Sequence, residues 1–231
     1  DPVDLPLGNF RREEPFSVSL WLKTPDAKER AVVFHRSRAW TDAASRGYEL
    51  LIEDGRLKWS LIHFWPGNAA SIAAETPLTP GEWTHVVVSS DGSSRAAGLA
   101  MFVNGQPAST VVIKDQLSRE ITGGGGDNIA LGERFRDRGF KGGMIDDFRV
   151  FSRNLSPLEA LSTFDAATAK QNLQAAADTL NESLRNQLFE HFLLAQDPEW
   201  TAHRASLQAA RSQLAKFYDG LKEIMVMREL P

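Results

Sequence analysis

One segment of this chain restricts its fold more than any other: GFKGGMIDDFRVFSRNLSPLEA, at residues 139–160. Its first half alternates apolar and polar residues, which is typical of a β-strand. Its second half contains Ser156, Pro157 and Glu159, a capping box with proline in the first helical turn, which predicts that a helix begins at once. The segment therefore predicts a boundary between a β-rich part, residues 1–155, and a helical part, residues 156–231.

Asp146 lies within the strand of this segment. Successive side chains of a strand point to opposite faces, so the pattern places Asp146 on one face with Met144, Phe148 and Val150. Burial of an unpaired carboxylate is costly. We therefore expect Asp146 to be neutralised, hydrogen-bonded or less buried than the alternation suggests.

Short apolar or alternating runs, separated by turn residues, occupy the chain from Phe16 to Phe151. The first run, FSVSLWLK, places its phenylalanine, valine and two leucines on one face, which predicts that this face belongs to the core. Asp54-Gly55 and Asn104-Gly105 stand between apolar runs and predict tight hairpins. About ten strands with such hairpins are typical of an antiparallel β-sandwich.

The last third of the chain changes to a helical period. Apolar residues recur at every third or fourth position from about Ala166 to Ala195, which predicts one amphipathic helix. Asp197 and Pro198 interrupt this pattern before a second amphipathic helix, so we expect an antiparallel helical hairpin. Pro231, after the β-favouring MVM, predicts an extended exit.

Four phrases resemble strands of laminin-G-like, concanavalin A-like jelly rolls, in the same order. They are PFSVSLWLKT at residues 15–24, GEWTHVVVSSDGS at 81–93, AMFVNGQPA at 100–108 and the segment at 139–160. The resemblance covers residues 5–165 and implies a mainly β fold, an antiparallel sandwich jelly roll followed by helices. Through RSRAWTD, HFWPGN and RFRDRGFKGG, the chain also resembles the jelly roll inserted in large planctomycete-type proteins that carry a cytochrome-c-like domain. The helices ending in EIMVMREL resemble the lead into the C-terminal flanking domain of those proteins. That resemblance implies an exported parent protein and flanking domains as partners.

Three loops are dense in arginine, histidine, tryptophan, asparagine and aspartate: residues 35–49, 63–68 and 132–143. Aromatic rings cover the C–H faces of sugars, while amide, carboxylate and guanidinium groups bind hydroxyls. The predicted ligand-binding residues are Arg36, Arg38, Trp40, Asp42, His63, Trp65, Asn68, Arg134, Arg136 and Asp137. The alternatives are that the tryptophans cover the core, that the arginines pair with nearby acids, or that the loops dock onto a flanking domain.

The resemblance to laminin-G-like folds also implies a structural Ca²⁺, with Asp146 as the candidate ligand. Ca²⁺ needs six to eight oxygen ligands, including backbone carbonyls. Alternatively, Asp146 pairs with an arginine or accepts backbone N–H bonds near the first strand, where Asn9 and Glu13 could lie. Trp83, His85 and Val87 share one strand face, and we expect them to pack in the core.

Several functions are disfavoured. A net charge of −4 without a basic block argues against nucleic-acid binding, and the absence of cysteine excludes disulfides and thiolate chemistry from this chain. No apolar run has the length of a membrane span, and neither the carboxylate pattern of a glycosidase strand nor a G-x-S-x-G elbow is present. We expect a non-catalytic module that binds a polysaccharide or glycoconjugate. The alternative is a structural interaction domain that docks flanking domains of the parent protein.

Overall fold

A computed structural model of the chain describes residues 7–38, 46–124, 126, 128–175 and 180–222. Two antiparallel sheets form a sandwich, and helices follow them, which confirms the predicted fold. The strands are β1 (Phe16–Lys23), β2 (Arg30–Arg36), β3 (Gly47–Glu53), β4 (Arg56–Phe64), β5 (Asn68–Ala74), β6 (Trp83–Ser90), β7 (Leu99–Val103), β8 (Gln106–Pro107), β9 (Thr110–Asp115), β10 (Ala130–Leu131) and β11 (Met144–Phe151). A short 3₁₀ helix, Ala96–Gly98, precedes β7. The described residues after β11 form the helices α1 (Pro157–Phe164), α2 (Ala166–Gln174), α3 (Glu182–Ala195) and α4 (Pro198–Gly220).

The five-stranded sheet has the order β11-β1-β6-β7-β8, and the six-stranded sheet has the order β10-β2-β3-β4-β5-β9. Both predicted hairpin turns are confirmed: Asp54 and Gly55 have φ of 48° and 74°, and Asn104 and Gly105 have the same pair of values. Positive φ at both central residues is the requirement of the turn that matches strand twist. These two turns set the β3–β4 and β7–β8 registers.

The core between the two sheets contains a packed aromatic cluster. The Phe16 ring lies 4.9 Å from Tyr48 and 5.8 Å from Trp59, and Phe34 lies 6.0 Å from Trp59, between ring centroids. Trp59 Nε1 donates to Ser89 O at 3.1 Å, so the indole N–H that crosses the core is satisfied. The apolar face predicted for the first strand is confirmed, because its four apolar side chains are fully buried.

A second apolar layer lies on the outer face of the five-stranded sheet, under α1. The Phe164 ring lies 5.6 Å from Trp21 and 5.7 Å from His85, between ring centroids. Val87 packs in the same layer with side chains from β7 and α1. The expectation for His85 and Val87 is therefore corrected: both are buried, but beneath a helix rather than between the sheets. Trp83 is 43% exposed, so its predicted core position is wrong.

The single helix expected from about Ala166 to Ala195 is wrong, because described residues interrupt it. Asp165 ends α1 and caps α2, accepting from the N–H groups of Ala167 and Thr168 at 3.0 and 3.1 Å. Ala175 has the extended angles φ −64° and ψ 140°, which end α2, and Asn181 caps α3. The predicted exit at Pro231 lies outside the described residues. Across the described ranges, no helix combines the length and apolarity that a membrane crossing requires.

Candidate functional site

One end of the sandwich brings together three distant segments: the β4–β5 turn, residues 117–122 and the C-terminal end of α4. Asn68 holds the first two together. Its Oδ1 accepts from Ser118 N at 2.9 Å and Arg119 N at 3.3 Å, while its Nδ2 donates to Ser118 Oγ at 2.8 Å. The predicted site residue Asn68 therefore positions a loop with both ends of its amide.

The end of α4 is tied to the same loop. Arg119 Nη1 donates to Tyr218 O, and its Nη2 donates to Leu221 O at 3.2 Å. Glu120 N donates to Asp219 Oδ1 at 3.1 Å. The guanidinium thus satisfies carbonyls at the helix C-terminus, where a positive charge is favourable.

A pocket of about 280 Å³ opens where these segments meet. We call it the rim pocket, and its lining consists of His63, Arg119, Glu120, Asp219 and Leu221. It combines two carboxylates, one guanidinium, one imidazole and one apolar wall. Such a mixture suits a ligand with many hydroxyl groups and a small apolar surface.

His63 has a defined tautomer in this pocket. Its Nδ1 lies 2.6 Å from Glu120 O, and a carbonyl oxygen only accepts, so Nδ1 carries the proton. Its Nε2 then accepts from Arg46 Nη2 at 3.3 Å. The neutral imidazole is therefore held by contacts on both ring nitrogens and helps to shape the wall of the pocket.

Arg11 lies behind the rim pocket and is shared by three carboxylates. Its Nε lies 2.9 Å from Glu120 Oε2 and 3.0 Å from Glu13 Oε1, and its Nη2 lies 4.0 Å from Asp219 Oδ2. Burial raises the pKa of Glu13, and its own backbone hydrogen bond and the nearby Arg11 oppose that rise. These three carboxylates supply several hydrogen-bond acceptors at this end of the molecule.

Two carboxylate oxygens in this group, Glu13 Oε2 and Asp219 Oδ2, are buried without a hydrogen-bond partner among the described residues. A buried acceptor without a donor costs about 1–3 kcal/mol, so such groups are rare in folded proteins. Asp219 belongs to the pocket lining, so a ligand hydroxyl that reached its Oδ2 would supply the missing hydrogen bond.

The side chains of the predicted ligand residues Arg36, Arg134 and Asp137 are buried. Arg36 is fully buried on β2, where its Nη1 donates to Ile121 O at 3.2 Å and its Nη2 donates to Asn9 Oδ1. Arg134 pairs with Glu49 and with Asp137. In this conformation the three side chains stabilise the loops and are not accessible to a ligand.

These ion pairs attach the segment that contains Arg134 to the outer face of the six-stranded sheet. Asp137 Oδ1 accepts from Arg30 Nε at 2.8 Å, and Asp137 Oδ2 accepts from Arg134 Nη2 at 2.5 Å. Burial opposes ionisation of Asp137, but these donors outweigh it and lower its pKa to about 2. His35 on the same face is also buried, and desolvation lowers its pKa to about 4.

The remaining predicted residues lie in different surroundings. Trp65 is half-buried, and Lys58 Nζ lies 4.3 Å from its ring centroid, so a cation already occupies one face of this stacking candidate. Arg38 is exposed, and Arg136 is exposed with its guanidinium carbon 5.2 Å from the Phe135 ring centroid. Trp40 and Asp42 lie outside the described residues. Ligand binding by the predicted set stays a prediction.

Asp146 does not face the core, because a β-bulge shifts the alternation of β11. Ser19 pairs with Arg149 but Trp21 pairs with Asp146, so an extra residue stands opposite β1, and Asp147 has a φ of 48°. Asp146 is exposed and its Oδ1 accepts from Asp147 N at 2.8 Å. Of the alternatives for this carboxylate, lower burial with a local hydrogen bond is the one that holds.

Within the described residues, no group of three or more histidine, aspartate or glutamate side chains is arranged to hold a metal ion. Asp146 supplies one carboxylate, whereas Ca²⁺ requires six to eight oxygens. The described side chains around Asp146 therefore do not make up a complete calcium site. Calcium binding there stays a prediction.

Sequence reasoning missed Arg11, Arg119, Glu120 and Asp219. Arg119 and Glu120 are adjacent, but Arg11 and Asp219 are each more than 90 residues away from them in the sequence. Asp219 also sits in a helix that the sequence does not place against the sandwich. The turn residues His63 and Asn68 were found because the HFWPGN segment is unusual. No local signal identifies the partners that these two residues meet.

The fold and the family agree. The model of the Laminin_G_3 family, described as the concanavalin A-like lectin/glucanases superfamily, matches residues 1–160. The chain belongs to this family. A comparison with curated proteins finds no match.

Solved structures with a similar fold include binding domains of botulinum neurotoxins. The binding domain of serotype G has a TM-score of 0.48 and 16% identity, and the match covers 67% of this chain and 37% of that one. The binding domain of serotype C1 has a TM-score of 0.47 and 16% identity, with 66% and 36% of the two chains covered. This chain thus spans little more than a third of the length of these structures.

Proposed function

We propose that this protein is a non-catalytic recognition module that binds carbohydrate or glycoconjugate in the rim pocket. The observation that carries the proposal is Asp219, which lines the pocket and whose buried Oδ2 has no hydrogen-bond partner among the described residues. A sugar hydroxyl would satisfy it, and Glu120 would offer a second acceptor. Membership in a lectin/glucanase family supports this class of ligand.

The charge of the pocket favours a neutral saccharide over a sulfated one. Glu13, Glu120 and Asp219 surround the single guanidinium of Arg11, and Arg119 is engaged with helix carbonyls. An anionic ligand would lie beside the carboxylates of Glu120 and Asp219, and this like-charge contact is unfavourable at short range. Neutral hydroxyl groups instead donate hydrogen bonds to those oxygens.

A glycosidase is the enzymatic alternative for this family. Two carboxylates, Glu49 and Glu53, share the outer face of β3 and lie about 13 Å apart along the strand. That spacing exceeds the separation of roughly 5–9.5 Å used by glycosidase pairs. Both carboxylates are also ion-paired, Glu49 with Arg134 and Glu53 with Lys58, so the arrangement favours binding over catalysis.

Calorimetry with plain and sulfated polysaccharides tests the proposal. We expect heat with a neutral saccharide and an affinity loss of about tenfold or more for Asp219→Asn, which keeps an acceptor for Glu120 N but removes the charge. Trp83→Ala is the matched control, because Trp83 is exposed and begins the strand at the other end of the sandwich. Equal affinity of Asp219→Asn and the unchanged chain, with both folded, would contradict this site. No heat with any saccharide would contradict the function.

The alternative function, docking of flanking domains of a longer parent protein, is favoured by the exposed apolar side chains of α3 and α4. Export of the parent protein is part of the proposal in either case, since it rests on the family resemblance. Co-purification of the chain with separately produced flanking domains tests docking. Retention that survives Asp219→Asn would assign docking to a surface other than the rim pocket.

A further inference from the structure

Helix α4 contacts the sandwich with its polar side. Arg204 Nη2 donates to Asn154 Oδ1 at 2.8 Å, and Arg211 Nη1 donates to Asp91 O at 2.7 Å. Ala215 is its one buried residue, and Asp219 contacts the rim loop as described above. These residues lie on one side of the helix, because positions four or seven apart in a helix share a face.

The apolar side of α4 faces solvent. A row of residues at alternating spacings of three and four runs along the helix, and we call it the α4 seam: Trp200, His203, Leu207, Ala210, Leu214 and Phe217. All six are exposed, and Leu207, Leu214 and Phe217 are 50%, 55% and 64% exposed. This spacing is that of the a and d positions of a coiled coil. An exposed apolar row of this kind marks an interaction surface.

We infer that the α4 seam joins two copies of this chain through an antiparallel, two-fold pairing of their α4 helices. In an antiparallel pair, each large side chain of the seam lies opposite a side chain of the second copy that can pack against it. With the two-fold axis near the helix centre, Trp200 meets Phe217 of the second copy, His203 meets Leu214 and Leu207 meets Ala210. Each layer then pairs two aromatic rings or places a leucine against a smaller or flatter side chain, which fills space without overpacking.

Charge supports a second copy as the occupant. The seam contains no aspartate, glutamate, lysine or arginine, and Ser206 and Gln213, which precede its two leucines, are neutral. The six seam side chains of two copies therefore meet without repulsion between like charges, while Glu199, Arg204, Arg211 and Lys216 stand beside the seam. Arg204 and Arg211, the nearest cations, already contact Asn154 and Asp91 in the same chain.

The length of the seam also suits a dimer. A helix of 23 residues is about 35 Å long. Two such helices in contact along their length approach the lower end of stable interfaces, about 1,200 Å² in total. The exposed rings of Phe189 and Phe192 on α3 provide further apolar area in the same helical region.

Such a dimer has a consequence that rests on the proposed function. The rim pocket is at the C-terminal end of α4, so antiparallel pairing would hold two pockets roughly one helix length, about 35 Å, apart. Two linked sites on one polymeric glycan raise the overall affinity well above that of either site. The dimer itself requires no saccharide, so its test is independent of ligand binding.

Sedimentation velocity of the 231-residue chain over a range of concentrations tests the pairing. We expect a dimer, a dissociation constant raised about tenfold or more by Leu207→Glu, and no change with Ala209→Glu. Ala209 is the matched control, since it is exposed on α4 about half a turn from Leu207 and accepts the same charged side chain. Circular dichroism confirms that each variant is folded.

Leu214→Glu provides a second variant should Leu207→Glu fail to fold, because Leu214 is also exposed and lies one heptad further along the seam. A monomer at all concentrations would overturn the inference. So would a dimer that both seam variants leave intact, since the contact would then lie elsewhere. Association only with separately added flanking domains, blocked by the seam variants, would assign the seam to a heterologous partner and would also overturn the inference.

Discussion

Helices α1 and α4 both lie against the sandwich, but they are attached by opposite chemistry. Helix α1 buries Leu158, Ala160 and Leu161. Helix α4 is held by arginines and an aspartate and leaves its leucines in solvent. An amphipathic helix is normally read by assuming that its apolar stripe faces the nearest core. In this molecule that assumption is correct for α1 and wrong for α4, and the exposed stripe of α4 becomes evidence for a partner.

The largest expected effect is a loss of stability, and it appears when a leucine of α1 and a leucine of α4 are each replaced by alanine. Leu161→Ala empties a packed site among Leu158 and Ala169, so we expect the free energy of unfolding to fall by about 3 kcal/mol. Leu207→Ala, at a protein concentration where the chain is monomeric, should change it by less than about 0.5 kcal/mol. Urea unfolding followed by circular dichroism measures both. Equal losses would show that α4 buries its apolar side in the monomer.

Acid should weaken the packing of His85 against Phe164 of α1. Burial lowers the pKa of His85 to about 4, while Asp147 opposes the shift and Arg149 adds to it. The ordinary value is 6.5, so between pH 6.5 and pH 4 the unfolded chain binds the proton more readily than the folded chain. The stability that neutral His85 contributes is therefore complete above pH 6.5 and falls by on the order of 2 kcal/mol as the pH drops toward 4.

Urea unfolding at pH 7 and pH 4.5 measures this dependence, with His85→Gln as the variant that removes it. His35 has its pKa lowered in the same direction and retains its own part of the acid sensitivity. We therefore expect the difference between the two pH values to shrink in His85→Gln without vanishing. An unchanged difference would show that His85 is protonated without cost in the folded protein.

The smallest expected effect concerns the helix caps. Ser156 is buried, and its Oγ accepts from Glu159 N at 3.2 Å while Glu159 Oε2 accepts from Ser156 N at 2.8 Å. Ser156→Ala should lower the free energy of unfolding by about 1 kcal/mol. Asp197 caps α4 by accepting from Trp200 N at 2.7 Å, and Asp197→Ala should only increase amide hydrogen exchange in the first turn of α4. If Asp197→Ala lowered the free energy of unfolding as much as Ser156→Ala does, α4 would contribute to global stability as α1 does. That result would contradict the contrast between the two helices.

Most of the sandwich could be predicted from local patterns. The strand alternation, the Asp-Gly and Asn-Gly turns and the capping box at Ser156 each act over a few residues, and the structure confirms all three. Two of the failures have local causes as well. A single bulged residue, Asp147, exposes Asp146, and Ala175 ends α2 before Asn181 caps α3.

The candidate site could be predicted only in part. The unusual HFWPGN turn predicts His63 and Asn68, and the structure places His63 in the rim pocket and Asn68 against the loop beside it. It places the predicted residues Arg36 and Arg134 in buried positions. Arg36 and Arg134 belong to loops whose composition is typical of sugar-binding sites. Each is nevertheless buried and donates a hydrogen bond to a residue more than 80 positions away in the sequence.

The sequence by itself determined the class of fold, the positions of the strands and turns, and the start of the helical part, because period, turn chemistry and caps are properties of neighbouring residues. Only the tertiary structure decided which charges are paired, which face of α4 remains in water, and that Asp219 meets Glu120 at the rim pocket. Those outcomes depend on the distance between groups far apart in the chain. The electrostatic energy of a charge pair and the burial of a side chain depend on the distance between groups in space, and the order of residues along the chain does not reveal that distance.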